Sequence, residues 1–186
     1  VNGNMITAEF EGSVGQNEVA YACLDQVRLM AEVVRIRGRY VDLQVFEDTT
    51  GLAIGDTVEF TGEMLAVELG PGLLTQIFDG LQNPLPKLAE QCGFFLQRGV
   101  YLQALPRDAT WDFTPCAEPG SAVSAGDTLG TVKEGIFEHR IMVPFRFRGV
   151  YRVKEIVPAG AYNLDKAVAQ LTDEQGGAHA VTMTQR

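Results

Sequence analysis

The tripeptide Gly70-Pro71-Gly72 is the feature that most limits how this chain can fold. Proline has no backbone N–H to donate, and glycine adopts dihedral angles that other residues avoid, so we expect no helix or strand to run through it. Directly afterwards, apolar residues recur at the spacing of one helix face: Leu73, Leu74, Ile77, Phe78 and Leu81. With Gly80 near its end and Pro84 beyond it, this spacing predicts a short linker helix over residues 73–81.

Residues 1–66 alternate between apolar and polar side chains, which is typical of strands with one buried and one solvated face. Glycine turn signals separate the alternating runs. The apolar members of these runs, after a first strand over Met5–Phe10, are Val34 and Ile36; Val41, Leu43 and Val45; and Val58 and Phe60. Closing such strands removes exposed edges, so we predict a small N-terminal β-barrel. The opening Val1-Asn2-Gly3 resembles the end of a strand and a turn, so we expect a further barrel strand upstream.

Residues 67–112 form the predicted linker, and its second half favours another short helix. Pro86 suits the first turn of a helix over the sequence PKLAEQC, and Gly93 is placed to end it. The chain then runs extended to Trp111. Because tryptophan covers so much apolar area, we expect Trp111 to anchor a core or a domain junction rather than to stack on a ligand.

The sequence of residues 113–186 predicts a second all-β unit that contains an internal repeat, which we call the echo. Pro119-Gly120 leads into the strand-like AVSAGDTLGTV, and about forty residues later Pro158-Ala159-Gly160 leads into AYNLDKAVAQL. Two related halves packed face to face are the plan of a barrel-sandwich of the lipoyl- and biotin-carrier type. Leu164, Val168 and Leu171 also fit a helical face, but the echo favours strand. The fold class is therefore mainly β, with a barrel at 1–66, a linker at 67–112 and a barrel-sandwich at 113–186.

Charge and cysteine content exclude several functions. The net charge of −9 argues against a nucleic-acid partner, which requires a basic surface. No apolar run approaches the length of a membrane span, and no leader precedes the first strand, so we expect a soluble protein. Cys23, Cys92 and Cys116 are odd in number and far apart, which predicts reduced, mostly buried thiols in a cytosolic protein.

Catalytic motifs are absent from the sequence. None of the lysines (Lys87, Lys133, Lys154 and Lys166) follows a glycine in a phosphate-binding loop, and there is no G-x-S-x-G nucleophile motif. His139 and His179 have no second histidine at metal spacing, and His139 is expected on a hairpin surface. A swinging-arm carrier requires a lysine at an exposed hairpin tip, but the expected tip, Gly135–Val143, contains none.

Several ordered blocks resemble one family, the catalytic A subunits of V/A-type rotary ATPases. ELGPGLLTQIFDGLQNPL (Glu68–Leu85) is similar to the segment that follows the N-terminal barrel in rotary ATPase catalytic subunits, and VFEDTTGLAIGDTV (Val45–Val58) is similar to barrel strands before it. GFFLQRGVYLQAL (Gly93–Leu105), VSAGDTLGTV, HRIMVP (His139–Pro144) and VTMTQR (Val181–Arg186) resemble the bulge, or non-homologous region, that distinguishes the A subunit.

The resemblance implies a parent that hydrolyses or synthesises ATP with Mg²⁺ while moving protons or sodium ions across a membrane. Its implied partners are B subunits in a ring, peripheral-stalk subunits and central-stalk subunits, at the cytoplasmic surface of the membrane. The family's P-loop and catalytic glutamate lie beyond Arg186, so we predict no catalytic, nucleotide-binding or metal residues here and an inactive, structural fragment. The alternative is a free-standing β-rich interaction or carrier module.

Overall fold

The computed structural model describes all residues from Val1 to Arg186, and they form two compact units. The first unit comprises residues 1–66 and 86–102, and the second comprises residues 67–85 and 103–186. Both are built from antiparallel sheets, which confirms the predicted mainly β fold. The domain boundaries predicted from the sequence stay a prediction.

The first unit is a five-stranded antiparallel sheet with one helix. Its elements are β1 (Met5–Glu9), β2 (Glu18–Leu24), β3 (Val27–Arg37), β4 (Tyr40–Val45), β5 (Val58–Met64) and α1 (Leu85–Cys92), of which Leu85 falls in the second unit's range. The strands are ordered β1-β4-β3-β2-β5. Their buried side chains form one core: Ile6, Ala20, Ala22, Leu29, Ala31, Val33, Val41, Leu43 and Val45. The alternation predicted for β4 is confirmed.

The apolar residues predicted on the buried face of β3, Val34 and Ile36, are exposed, whereas Val33 is buried. A register shift against β4 between Val33 and Arg35 leaves Val34 as the extra residue of a β-bulge. Ile36 pairs with the buried Val41 and so keeps the predicted face, but it lies one residue before the end of the strand. A β-bulge places an extra residue opposite its partner strand, so the alternation read along the sequence changes face at that point.

The predicted helix after Pro84 is confirmed as α1. Pro86 lies in its first turn, where a missing N–H costs nothing, and Leu88 is its buried residue. Gly93 ends the helix with a φ of 71° and donates its N–H to the carbonyl of Ala89.

Residues 98–101 bind closely to the sheet of the first unit. The Tyr101 hydroxyl donates to Glu47 Oε2 at 2.7 Å and accepts the N–H of Met30 at 2.6 Å. Burial raises the pKa of the Tyr101 hydroxyl. Gly99 donates its N–H to the same carboxylate, and Arg98 donates to the carbonyl of Thr50 at 2.6 Å. These contacts make residues 98–101 part of the first unit's structure.

The second unit consists of two four-stranded sheets. Its strands are β6 (Thr110–Pro115), β7 (Ala122–Ser124), β8 (Thr128–Glu134), β9 (Phe137–Met142), β10 (Val150–Ile156), β11 (Gly160–Asn163), β12 (Ala169–Thr172) and β13 (Ala178–Val181). One sheet is ordered β13-β12-β10-β7 and the other β11-β6-β8-β9. Each echo segment contributes one strand to each sheet, in opposite order, as two halves related by a twofold axis would. The strand interpretation of residues 161–171 is therefore confirmed.

The helix predicted over residues 73–81 does not form. A single turn closes, with Gln76 donating to the carbonyl of Leu73, and Thr75 then takes a φ of 65° that a helix cannot contain. Further along, Asp79 Oδ1 accepts the N–H groups of Leu81 at 2.9 Å and Asn83 at 2.8 Å. Such side-chain hydrogen bonds compete with the backbone hydrogen bonds of a helix. A short helix is only marginally stable, so this competition prevents it from forming. The prediction from apolar spacing is wrong here.

Candidate functional site

The segment of residues 68–85 is held in the second unit by contacts that spacing alone does not predict. At Gly70-Pro71-Gly72 the chain passes very close to its neighbours. A Cβ on Gly72 would lie 2.5 Å from Pro106 Cδ, and one on Gly70 would lie 3.1 Å from the carbonyl oxygen of Met183. Gly72 also has a φ of 105°. Glycine is therefore needed at Gly72, for close approach and for backbone conformation, whereas a side chain on Gly70 would be tightly packed.

The carboxylate of Glu134 fixes this loop. Glu134 ends β8 with its side chain inward and is only 7% exposed. Its Oε1 accepts the N–H groups of Gly72 at 2.7 Å and Leu74 at 3.0 Å, and its Oε2 lies 2.9 Å from His139 Nδ1. Burying a carboxylate is costly unless several donors compensate it, and here three donors converge. The predicted surface position of His139 is thus wrong, because the ring is half-buried against Glu134.

A second set of polar contacts holds Glu68. The Glu68 carboxylate forms an ion pair with Arg107 Nη2, while Arg107 Nη1 binds Asp165 Oδ1 at 2.6 Å. The side-chain amide of Gln82 accepts the N–H of Glu68 and donates to its carbonyl, both at 2.7 Å. Both side chains of the Arg107–Glu68 pair are mostly buried, so this pair is screened less by solvent than a surface ion pair.

The segment also pairs with the last residues of the chain. Leu69 and Gln185 exchange two backbone hydrogen bonds of 2.8 Å, and the Gln185 side chain donates to the carbonyl of Met142 at 3.1 Å. This pairing joins the first segment of the second unit to its second segment. We call residues 68–74 with Glu134, Arg107 and Gln185 the anchor site.

The anchor site is suited to holding structure rather than to reaction chemistry. The N–H groups of its glycine loop, which could otherwise bind a phosphate, already bind an internal carboxylate. No three His, Cys, Asp or Glu side chains gather as a metal site anywhere in the 186 residues. The structure also contains no helix with the length and apolarity of a membrane span.

Besides His139, one further residue singled out from the sequence, Trp111, lies beside the anchor site. Trp111 packs on the core that contains Leu105, as expected of an anchor, and its Cζ2 would lie 3.3 Å from a Cβ on Gly72. His179 Nε2 lies 2.8 Å from Asp173 Oδ2, and this bond, with the Gly177 N–H, lowers the pKa of Asp173.

The three cysteines are free. Cys23 and Cys92 are partly buried, but Cys116 is exposed, so the prediction of buried thiols is wrong for Cys116. The tip of the β8–β9 hairpin is Gly135-Ile136, and it contains no lysine.

Glu134, Arg107 and Gln82 were not predicted from the sequence as functional residues. Glu134 had a detectable signal, because it continues the inward phase of Val132 in a strand whose alternate residues are buried. A carboxylate in such a position indicates a buried acceptor with dedicated donors. Arg107 and Gln82 had no comparable signal, since their partners are set by long-range packing.

The two β units match, in order, two domains of one class of proteins, the ATP synthase subunits. The β-barrel domain model of the ATP synthase alpha/beta family matches residues 1–62, and the alpha/beta subunit barrel-sandwich domain model matches residues 102–186. The chain belongs to the ATP synthase alpha/beta family. The resemblance found in the sequence is confirmed.

Individual relatives are V-type ATP synthase alpha chains. The chain is 55% identical to that of Treponema denticola over 184 residues, which is 99% of this chain and 31% of the relative. It is 54% identical to that of Borreliella burgdorferi over 99% of this chain and 32% of the relative. It is also 54% identical to the V-type ATP synthase alpha chain 1 of Treponema pallidum, over all of this chain and 32% of the relative. The chain thus spans about a third of the length of these relatives.

Proposed function

We propose that this chain is the N-terminal part of the catalytic A subunit of a V/A-type rotary ATPase, and that its own role is structural. The parent would couple ATP hydrolysis or synthesis to the transport of protons or sodium ions. One observation carries the proposal: both β units are matched in order by ATP synthase domains, with 55% identity to a V-type alpha chain along nearly the entire sequence.

We infer that these residues do not bind ATP and Mg²⁺, which the parent would bind elsewhere. The N–H groups of the loop at Gly72 are occupied by Glu134, and no lysine follows the glycines of that loop. A nucleotide phosphate placed there would meet a buried carboxylate, and like charges repel strongly away from water.

The proposed role is assembly and stator contact at the cytoplasmic face of a membrane. The barrel would join B subunits in a ring, and the second unit would extend outward to peripheral-stalk subunits. The parent would also contact the central stalk. Closely paired antiparallel sheets with short connections support this role, because a stator must resist torque without bending.

The test is association with the B subunit of the same organism together with a nucleotide-binding control. We expect the 186-residue chain to co-elute with the B subunit in size-exclusion chromatography and to leave the fluorescence of a labelled ATP analogue with Mg²⁺ unchanged. Binding of the analogue, or ATP hydrolysis by the chain alone, would refute the structural role. Failure to associate with the B subunit would refute the assembly role.

The carrier alternative has its own discriminating measurement. Incubation with lipoyl and biotin ligases should leave the mass of the chain unchanged, because the hairpin tip at Gly135-Ile136 offers no lysine. A mass increase of one lipoyl or biotinyl group would support the carrier module instead.

We also propose that the chain folds as two units joined through residues 82–112. Phe94, Phe95 and Leu96 in this region are almost fully exposed and lie in no helix or strand. Chymotrypsin should therefore cut there first, because exposed irregular segments are the preferred sites of proteolysis. First cuts inside residues 113–180, identified by mass spectrometry, would contradict the division.

A further inference from the structure

A basic surface interrupts an otherwise acidic chain at residues 144–154. This stretch carries Arg146, Arg148, Arg152 and Lys154 and no Asp or Glu, whereas the whole chain has a net charge of −9. All four side chains are exposed. We call these four cations together with Phe145 the basic surface.

The cations of the basic surface are unneutralised. None of the four has a carboxylate oxygen within the 4.0 Å that defines the chain's ion pairs, whereas Arg28, Arg37, Arg39 and Arg107 each have one. The contacts of the basic surface are weak and local. Arg152 donates to the carbonyl of Gly120 at 3.2 Å, and the Arg146 guanidinium lies 5.8 Å from the Phe147 ring centroid.

Two nearby aspartates are already engaged in turns. Asp127 accepts the N–H of Ser124 at 2.7 Å, and Asp173 accepts the N–H of Gly177 at 2.7 Å and contacts His179. Three exposed glutamates close to the stretch, Glu118, Glu155 and Glu174, form no side-chain hydrogen bond or ion pair, and none of them lies within 4.0 Å of the four cations. The four cations are therefore open to a partner that supplies closer carboxylates.

The surroundings of the basic surface allow close approach. Arg152 lies in β10, the strand between β7 and β12, and its register partners are the small residues Ala122 and Thr172. Phe145, 71% exposed, presents an aromatic ring beside Arg146, and Val150 is also exposed. Exposed arginine and aromatic side chains are enriched at protein–protein contact sites.

We propose that the basic surface binds a carboxylate-rich segment of another protein. The distribution of charge on the chain favours a protein segment over a nucleic acid or a membrane. Screening limits each charge to about 8 Å at physiological salt, so a short acidic segment senses only this local patch. A long polyanion or an anionic bilayer would also meet the acidic remainder of the chain. The proposal holds for the isolated chain and does not depend on the proposed function.

The experiment uses a fluorescein-labelled peptide of glutamates with two leucines, titrated with the 186-residue chain and followed by anisotropy. We expect saturable binding that weakens with salt, and an affinity loss of about tenfold, or about 1.4 kcal/mol, in the double variant R146E/R148E. The matched control R35E/K87E makes the same change in net charge at exposed cations of the first unit and should bind like the wild type. Circular dichroism should show that both variants are folded.

Three outcomes would overturn the proposal. The first is no binding of the peptide by the wild-type chain. The second is equal weakening by the two double variants, which would indicate only a net-charge effect. The third is stronger binding to phosphatidylserine vesicles or to single-stranded DNA than to the peptide, which would assign the surface to another class of partner.

Discussion

Removal of the Glu134 carboxylate should destabilise the second unit by about 3 kcal/mol. In Glu134→Ala the N–H groups of Gly72 and Leu74 lose their acceptor, and each unsatisfied buried donor costs about 1–3 kcal/mol. We expect the combined loss of stability to fall in the lower half of the range for two such donors. Leu74 is partly exposed, so water can replace part of its hydrogen bond. His139 also loses its partner, at a smaller cost since its ring is half-buried.

The variant Glu134→Gln keeps an acceptor oxygen but removes the negative charge, so it distinguishes the two contributions. The amide retains one oxygen for the two N–H groups, but neutral hydrogen bonds are about half as strong as those to a carboxylate. We expect a loss of about 1 kcal/mol. Glu138→Ala is the matched control, because Glu138 lies in the same hairpin, is exposed, and makes a 3.1 Å contact with Thr131. It should cost less than about 0.5 kcal/mol.

Urea unfolding followed by Trp111 fluorescence is the appropriate assay. Trp111 is the only tryptophan, and it lies beside Gly72 in the second unit. Linear extrapolation gives the free energy of unfolding for each variant. The reasoning would be refuted if Glu134→Ala cost no more than Glu138→Ala. It would equally fail if the glutamine variant were as unstable as the alanine variant, because the acceptor oxygen would then be irrelevant.

Three further predictions concern other sites. Gly130→Ala should cost about 2–3 kcal/mol in urea unfolding, because its Cβ would lie 2.3 Å from the Phe113 ring; a neutral result would contradict this packing. Tyr101→Phe should reduce the loss of stability as pH rises above about 10, followed by circular dichroism, because the raised pKa of Tyr101 means that the folded state holds its proton longer. An unchanged alkaline limb would count against it. Asp173→Asn should reduce the loss of stability as pH falls below about 4, because the lowered pKa of Asp173 adds stability only above its unfolded value. An acid limb identical to the wild type would argue otherwise.

Local patterns predicted the strands and α1 well. Alternation identified β4 because each of its inward residues is apolar and no bulge interrupts it. Proline and glycine identified α1 because both act through their own backbone. The echo identified the second unit because each half must supply one strand to each sheet. In all these cases the determining contacts are close in sequence or repeat regularly.

The errors arise where polar contacts decide the conformation. Residues 73–81 have helical apolar spacing, but Asp79 binds the following N–H groups and Thr75 is left-handed. The anchor of the preceding loop, Glu134, lies 62 residues from Gly72. Periodicity contains no information about such a pair. The face change in β3 likewise depends on a bulge that only the pairing with β4 reveals.

The pairing of Leu69 with Gln185 joins two segments of the second unit that are far apart in sequence. A force applied to the backbone at these two residues would load one pair of hydrogen bonds before it reached either sheet. The two sheets would therefore stay folded until that pair opened, so the pair sets the mechanical threshold of the unit for force applied in this direction.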